Sequence, residues 1–119
     1  MANHQSLGKY GEDKAARFLE SAGYQIVERN YRYLKAEIDL IAKKDEVLAI
    51  VEVKTRTGRS LEHIAEAVNK RKIERLVLAA DHYIISRELD VEARFDIIWI
   101  TKYGNSISLE HIENAFYHF

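Results

Sequence analysis

The sequence predicts an α/β protein, a single domain of 119 residues whose central mixed β-sheet is flanked by helices in the order αβββαβ. Two segments carry apolar residues at helical spacing, one near the N-terminus and one over residues 70–86. Between them lie three runs with the alternating or continuously apolar character of strands. A further apolar strand, residues 94–101, follows the second helix instead of a tight turn. That helix provides a crossover, so the later strand can pair parallel to an earlier one. A chain of this length builds one core, and no repeat, linker or low-complexity tract divides it.

The first helix is expected over residues 7–22, where Leu7, Ala15, Phe18, Leu19 and Ala22 recur at helical spacing and Gly23 ends it. "YQIVERNY" alternates and opens a strand at about Tyr24. Residues 36–43 and 46–56 form a hairpin turning near Lys44 and Asp45, and Gly58 closes that region. "SLEHIAEAVN", residues 60–69, fits a loop or short helix. "KRKIERLVLAADHYIIS" is the strongest helix, with Ile73, Val77, Ala80 and Ile84 on one stripe and Leu76 and Tyr83 beside it. The core is expected within about residues 7–101. After the Gly104-Asn105 turn, "SISLEHI" permits a short edge strand, and the aromatic tail within 110–119 is expected to pack over its own sheet edge.

Composition excludes several function classes. The chain has no cysteine, which removes disulfides, thiolate zinc sites and cysteine nucleophiles and suits a reducing compartment. No stretch approaches the roughly 18 apolar residues of a membrane span, and the N-terminus lacks the apolar core of a signal peptide. A cytoplasmic protein without a membrane partner is expected. The five histidines have no metal-ligand spacing, and Ser60 and Ser86 lie in no hydrolase motif. The net charge of −1 gives no overall basic character, yet cations cluster locally at Lys54, Arg56 and Arg59 and again at Lys70, Arg71, Lys72 and Arg75. Either group taken alone reads as solvated surface.

Within "EIDLIAKKDEVLAIVEVK", residues 37–54, the charges need an explanation. Residues two apart in a strand share a face, so Glu37, Asp39 and Ile41 are expected together, as are Ile50, Glu52 and Lys54. A two-residue turn at Asp45-Glu46 sets Asp39 opposite Glu52, with Cβ atoms roughly 5 Å apart. Charges on a wet sheet face would be unremarkable, but Leu48 and Ile50 make this face apolar until it reaches Glu52. The pattern is that of a strand leaving a core and entering a site. Two adjacent carboxylates repel unless a cation lies between them, and hard oxygen ligands suit Mg²⁺. With Lys54 to meet a water or a phosphate oxygen, the set suits metal-assisted hydrolysis of a phosphodiester. Glu12 borders the apolar stripe of the first helix, where a first-turn charge is the plainer reading. Lys70 falls on the core-facing side of its helix, where snorkelling explains it.

"GEDKAARFLESAGYQIVERNYR", "EIDLIA", "VEVKTRTG" and "RFDIIWI" together resemble the YraN-like family over about Leu7 to Ile100. That family is grouped with predicted endonucleases of the restriction-enzyme-like superfamily and is similar to archaeal Holliday-junction resolvases. The resemblance implies a restriction-endonuclease-like fold and a Mg²⁺ or Mn²⁺ cofactor. It implies that Asp39 is the metal-binding aspartate, that Glu52 and Lys54 are the Glu-x-Lys pair, and that Glu12 is the helical glutamate of the resolvase branch. The Val53 carbonyl would be a further metal ligand. Ala36 departs from the family's usual glycine before "EID", and Glu37 is left between support of the metal and a surface charge.

The leading expectation is a metal-dependent nuclease acting on DNA, branched or duplex, with Asp39, Glu52, Lys54 and Glu12 as the catalytic set. Arg56, Arg59, Lys70, Arg71 and Lys72 would hold phosphates and set position without reading sequence. A nucleic-acid-binding module that keeps the fold without turnover is the alternative. By analogy with resolvases, a homodimer is expected.

Overall fold

The computed structural model describes residues 4–58 and 69–116. Its elements are α1 (His4–Ser21), β1 (Gln25–Tyr33), β2 (Ala36–Lys44), β3 (Val47–Thr57), α2 (Lys70–Ser86), β4 (Glu92–Tyr103) and β5 (Ser106–Ile112). The loop or short helix expected before Asn69 lies outside the described residues, as do Arg59 and tail residues 117–119. The order is therefore αβββαββ, one strand longer than the expected αβββαβ. The extra strand is the "SISLEHI" segment, which pairs antiparallel with β4 from Ile97↔Ile112 to Tyr103↔Ser106. The core thus extends past residue 101, and the tail begins after Ile112 rather than at residue 110. A single strand rich in serine has a weak pattern of its own, and its partner β4 stabilises it.

The sheet runs β1-β2-β3-β4-β5 and is antiparallel except at β3–β4, which is parallel from Val47↔Glu92 to Thr57↔Lys102. The crossover through α2 accounts for that one parallel pair. Helices cover both faces. Ala15, Ala16 and Leu19 of α1 pack with Leu40, Ala42, Ala49, Val51, Ile98 and Ile100. Leu76, Ala79, Ala80 and Tyr83 of α2 pack with Ile38, Ile41, Leu48, Ile50 and Phe95. With both faces buried, β3 and β4 are continuously apolar through their middles. No helix among the described residues is long and apolar enough to cross a membrane.

Gly11 sets the distance between α1 and β3. A Cβ there would stand 1.8 Å from Thr55 Oγ1 and 3.0 Å from Thr55 Cβ. Gly11→Ala is expected to cost about 1–3 kcal/mol, the range for overpacking, read as a lower urea midpoint. Gly8→Ala on the same helix is the matched control, since its added Cβ meets nothing within 4 Å.

At the far end of the sheet, Asp96 is fully buried and accepts hydrogen bonds from Arg94, His111 and the Asn114 N–H. Arg94 also reaches the Tyr24 hydroxyl and pairs with Glu113 at 3.2 Å. Past this cluster, Ala115 N–H donates to the Phe95 carbonyl and Phe116 lies against the Phe95 ring, 5.3 Å between centroids. The described start of the tail therefore packs on its own sheet.

Candidate active site at a strand fork

The site begins where β2 and β3 part. Their turn is the two-residue Asp45-Glu46 connection, Asp45 having φ 53, and the ladder runs from Lys44↔Val47 to Leu40↔Val51. One step further in that register stand Asp39 and Glu52, which line one cavity. There the ladder gives way to a side chain, for Asp39 Oδ2 accepts the Val53 N–H at 2.8 Å. In an antiparallel pairing a residue directs its N–H and C=O to the same side, so the Val53 carbonyl also faces the fork.

The regular alternation expected for Glu37, Asp39 and Ile41 does not hold. Ala36, Ile38 and Ile41 join the core under α2, whereas Leu40 and Ala42 join the core under α1. The side-chain sequence slips by one at Asp39. Opposite it, between the pairs Arg29↔Leu40 and Tyr31↔Ile38, stands Asn30 with φ 54. A left-handed residue costs about 1–3 kcal/mol where glycine is absent, and such strain concentrates at functional sites. Glu37 pairs with Arg32 at 2.8 Å and lines the same cavity as Asp39.

Glu52 is 5% exposed. Its Oε1 takes a 2.6 Å salt bridge from Lys72 Nζ, and its Oε2 is buried with no hydrogen-bond partner among the described residues. A buried, unpartnered carboxylate oxygen is costly, about 1–3 kcal/mol or more for a charged group. Burial first, and the Glu52 carboxylate second, push the Asp39 carboxyl up to about 7, against the pull of the Val53 N–H. The Glu12 carboxyl is also raised, chiefly by burial, with the Asn30 hydrogen bond opposing. Lys54 is lowered by burial and by the neighbouring Lys72 ammonium.

A cavity of about 400 Å³ opens over the fork, lined by Asp39, Glu52, Lys35, Arg71, Lys72 and Arg75 among others. Asn69 also lines it and caps α2 through its side chain, which accepts the Lys72 N–H at 2.9 Å. Lys70, Arg71 and Lys72 fill the first helical turn, where the macrodipole favours acids and none is present. Positive charge is thereby concentrated beside the carboxylates. Glu12 lies on the other side of β3, in a second cavity of about 230 Å³ with Val53, Lys54 and Arg56.

The structure thus brings Asp39, Glu52, Lys54 and Lys72 together and places Glu12 within electrostatic reach of Asp39. Arg71 lines the site. Arg56 lies over the Trp99 ring at 5.7 Å and lines the Glu12 cavity. Lys70 is exposed and is not among the residues named around either cavity, in keeping with a snorkelling surface lysine. The buried stripe is Leu76, Ala79, Ala80 and Tyr83, and the residue one turn before it is Lys72. Arg75 also lines the site, and its spacing of four from Arg71 puts both on one face of α2. Among the described residues no group of three or more His, Asp or Glu is disposed around a common metal position.

One stability consequence can be measured without metal. Because the folded-state value of Asp39 lies above the ordinary 3.8, its contribution to stability is complete below 3.8 and is lost as pH rises to about 7. In chelator above that pH, Asp39→Asn is expected to stabilise the protein by about 2 kcal/mol. It should also flatten the pH dependence of the melting temperature.

Residues 11–100 match the family described as Uncharacterised protein family UPF0102. The chain is 49% identical over 119 residues to a UPF0102 protein of Flavobacterium psychrophilum, covering all of both chains. It is 46% identical over 123 residues to one of Flavobacterium johnsoniae, again covering both completely. With a UPF0102 protein of Desulforapulum autotrophicum it shares 44% identity over 113 residues, 94% of this chain and 93% of that one. On these matches the chain belongs to the UPF0102, or YraN-like, family.

Proposed function

We propose that this protein is a metal-dependent nuclease that hydrolyses DNA phosphodiesters, branched or junction DNA included, on a restriction-endonuclease-like fold. The observation that carries the reading is the Glu52 side chain. It is buried, one oxygen is held by Lys72 and the other has no partner among the described residues. A structural ion pair would use both oxygens, since one left bare forfeits stability without return. A ligand to a cation would keep one oxygen open.

The donors fit Mg²⁺ or Mn²⁺. Asp39 and Glu52 supply hard carboxylate oxygens and Val53 a carbonyl, and Mg²⁺ takes only one or two carboxylates, completing its shell with water and phosphate. When bound, the cation would polarise the phosphoryl oxygen and acidify a coordinated water. The remaining work belongs to the chain. Lys54 holds the attacking water or a non-bridging phosphate oxygen. Lys72, which bridges Glu52, would be the side chain free to turn to the phosphate if a cation took its place on the carboxylate. Arg71 and Arg75 hold flanking phosphates, with Arg56 on the Glu12 side. Glu12 orients water from the α1 side. Water adds to phosphorus and gives up one proton to solvent, the bond to the leaving sugar oxygen breaks, and that oxygen takes a proton from solvent.

The alternative, a nucleic-acid-binding module without turnover, is favoured by one feature: the Lys72 bridge occupies Glu52 and completes a cationic surface. Incubation with end-labelled four-way-junction, flap, single-stranded and duplex DNA, in Mg²⁺, Mn²⁺ or chelator, separates the two. Metal-dependent cuts support the nuclease. Metal-independent binding of folded protein without cuts supports the module.

A further inference from the structure

A track of cationic and aromatic side chains leads away from the fork along α2. Lys35, Arg71 and Arg75 line the cavity, and none of them has an ion pair among the described residues. From Arg75 the outer stripe of α2 reaches His82, seven residues and about 10 Å on. There the imidazole is fixed on two sides. Tyr33 stacks on it, with ring centroids 3.9 Å apart and planes 14° apart, and the Tyr31 hydroxyl meets Nδ1 at 2.8 Å. His82 is nonetheless exposed.

The hairpin that carries Tyr33 also carries Leu34 at its tip. Leu34 is 76% exposed and held at φ 55. Tyr33 pairs with Ala36, which lines the cavity, so the plate and the tip both adjoin the site. Cations without ion pairs among the described residues, followed by a fixed, exposed ring, are the two components of a single-strand binding path: charge for the backbone and a flat face for a base. An exposed apolar side chain at the entrance suits a wedge against the last stacked pair.

We infer that the Tyr33–His82 plate stacks an unpaired base, so that the preferred substrate is DNA with a single-stranded arm, its backbone held by Lys35, Arg71 and Arg75. This rests on the nuclease reading for what happens at the fork, but the binding can be measured apart from cleavage. Fluorescence anisotropy in chelator would compare a blunt duplex with the same duplex carrying a single-stranded arm. Wild-type protein is expected to bind the armed duplex more tightly. His82→Ala should lose about tenfold on the armed duplex, in keeping with the worth of one stacked base, and stay within about twofold on the blunt one. His82→Phe, which keeps a flat ring, should retain the preference. Equal binding of both duplexes by wild type, or unchanged armed-duplex binding by folded His82→Ala, would overturn the inference. An arm preference that responds to His82 without any metal-dependent cutting would overturn only the nuclease reading.

Discussion

Replacing Glu52 by glutamine is expected to lower metal-dependent cleavage by more than about 100-fold, since even the outer partners of metal ligands are worth about 10–100-fold. The side chain keeps its volume, so the apolar packing around a 5% exposed position is preserved. Lys72, whose side chain is 34% exposed, can turn to water when its partner loses charge. The Asp39 carboxyl loses the larger of the two carboxylate repulsions that, with burial, raise it, and its titration should move toward the ordinary carboxylate range. Cleavage rates together with the pH dependence of thermal stability read both consequences. Loss of cutting by folded protein, with a lower Asp39 titration, assigns the effect to the shared carboxylate site. Undiminished cutting would remove Glu52 from the chemistry.

The largest effect on stability is expected at Asp96, far from the fork. Asp96→Ala leaves Arg94, His111 Nε2 and the Asn114 N–H without their common acceptor. Breaking a buried ion pair from one side costs about 3–5 kcal/mol, measurable by urea unfolding. Burial pushes the Asp96 carboxyl up, but hydrogen bonds from His111, Arg94 and Asn114 outweigh it and hold the group below 3.8. Its stabilisation is therefore present above 3.8 and is lost as pH falls through the lower folded-state value. Amide exchange should show Asn114 and Ala115 losing protection first in the variant, because Asp96 is what ties that segment to β4. A loss below 1 kcal/mol, on the scale of an exposed pair, would contradict the role given to the cluster.

Particular residues show how far sequence reasoning reaches. The Asp39–Glu52 opposition follows from a two-residue turn and strand periodicity, both local. The slip at Asp39 does not, because Asn30 adopts a left-handed conformation in a stretch that alternates like an ordinary strand. In the sequence Lys72 is one of a run of basic residues, and helical periodicity alone does not single it out as the one that reaches Glu52. The apolar residues of α2 form a wide band, and Ile73, Val77 and Ile84 are only its partly buried flank. The Asp96 cluster draws on Tyr24, β4, β5 and the tail, so no single segment carries its pattern. Its one visible trace is Arg94-x-Asp96 entering an apolar strand. His111 serves the Asp96 cluster, while the fixed exposure of His82 depends on Tyr31 and Tyr33, some fifty residues away in the chain.

The central claim is that the fork between β2 and β3 holds a divalent cation between Asp39 and Glu52. Calorimetric titration of Mn²⁺ into DNA-free protein tests it most directly, at a pH above the Asp39 titration near 7, with Asp39→Asn in parallel. The account predicts saturable binding by wild type that is lost in Asp39→Asn, although that variant is the more stable of the two. Equal binding by both proteins, or none by folded wild type, would contradict it.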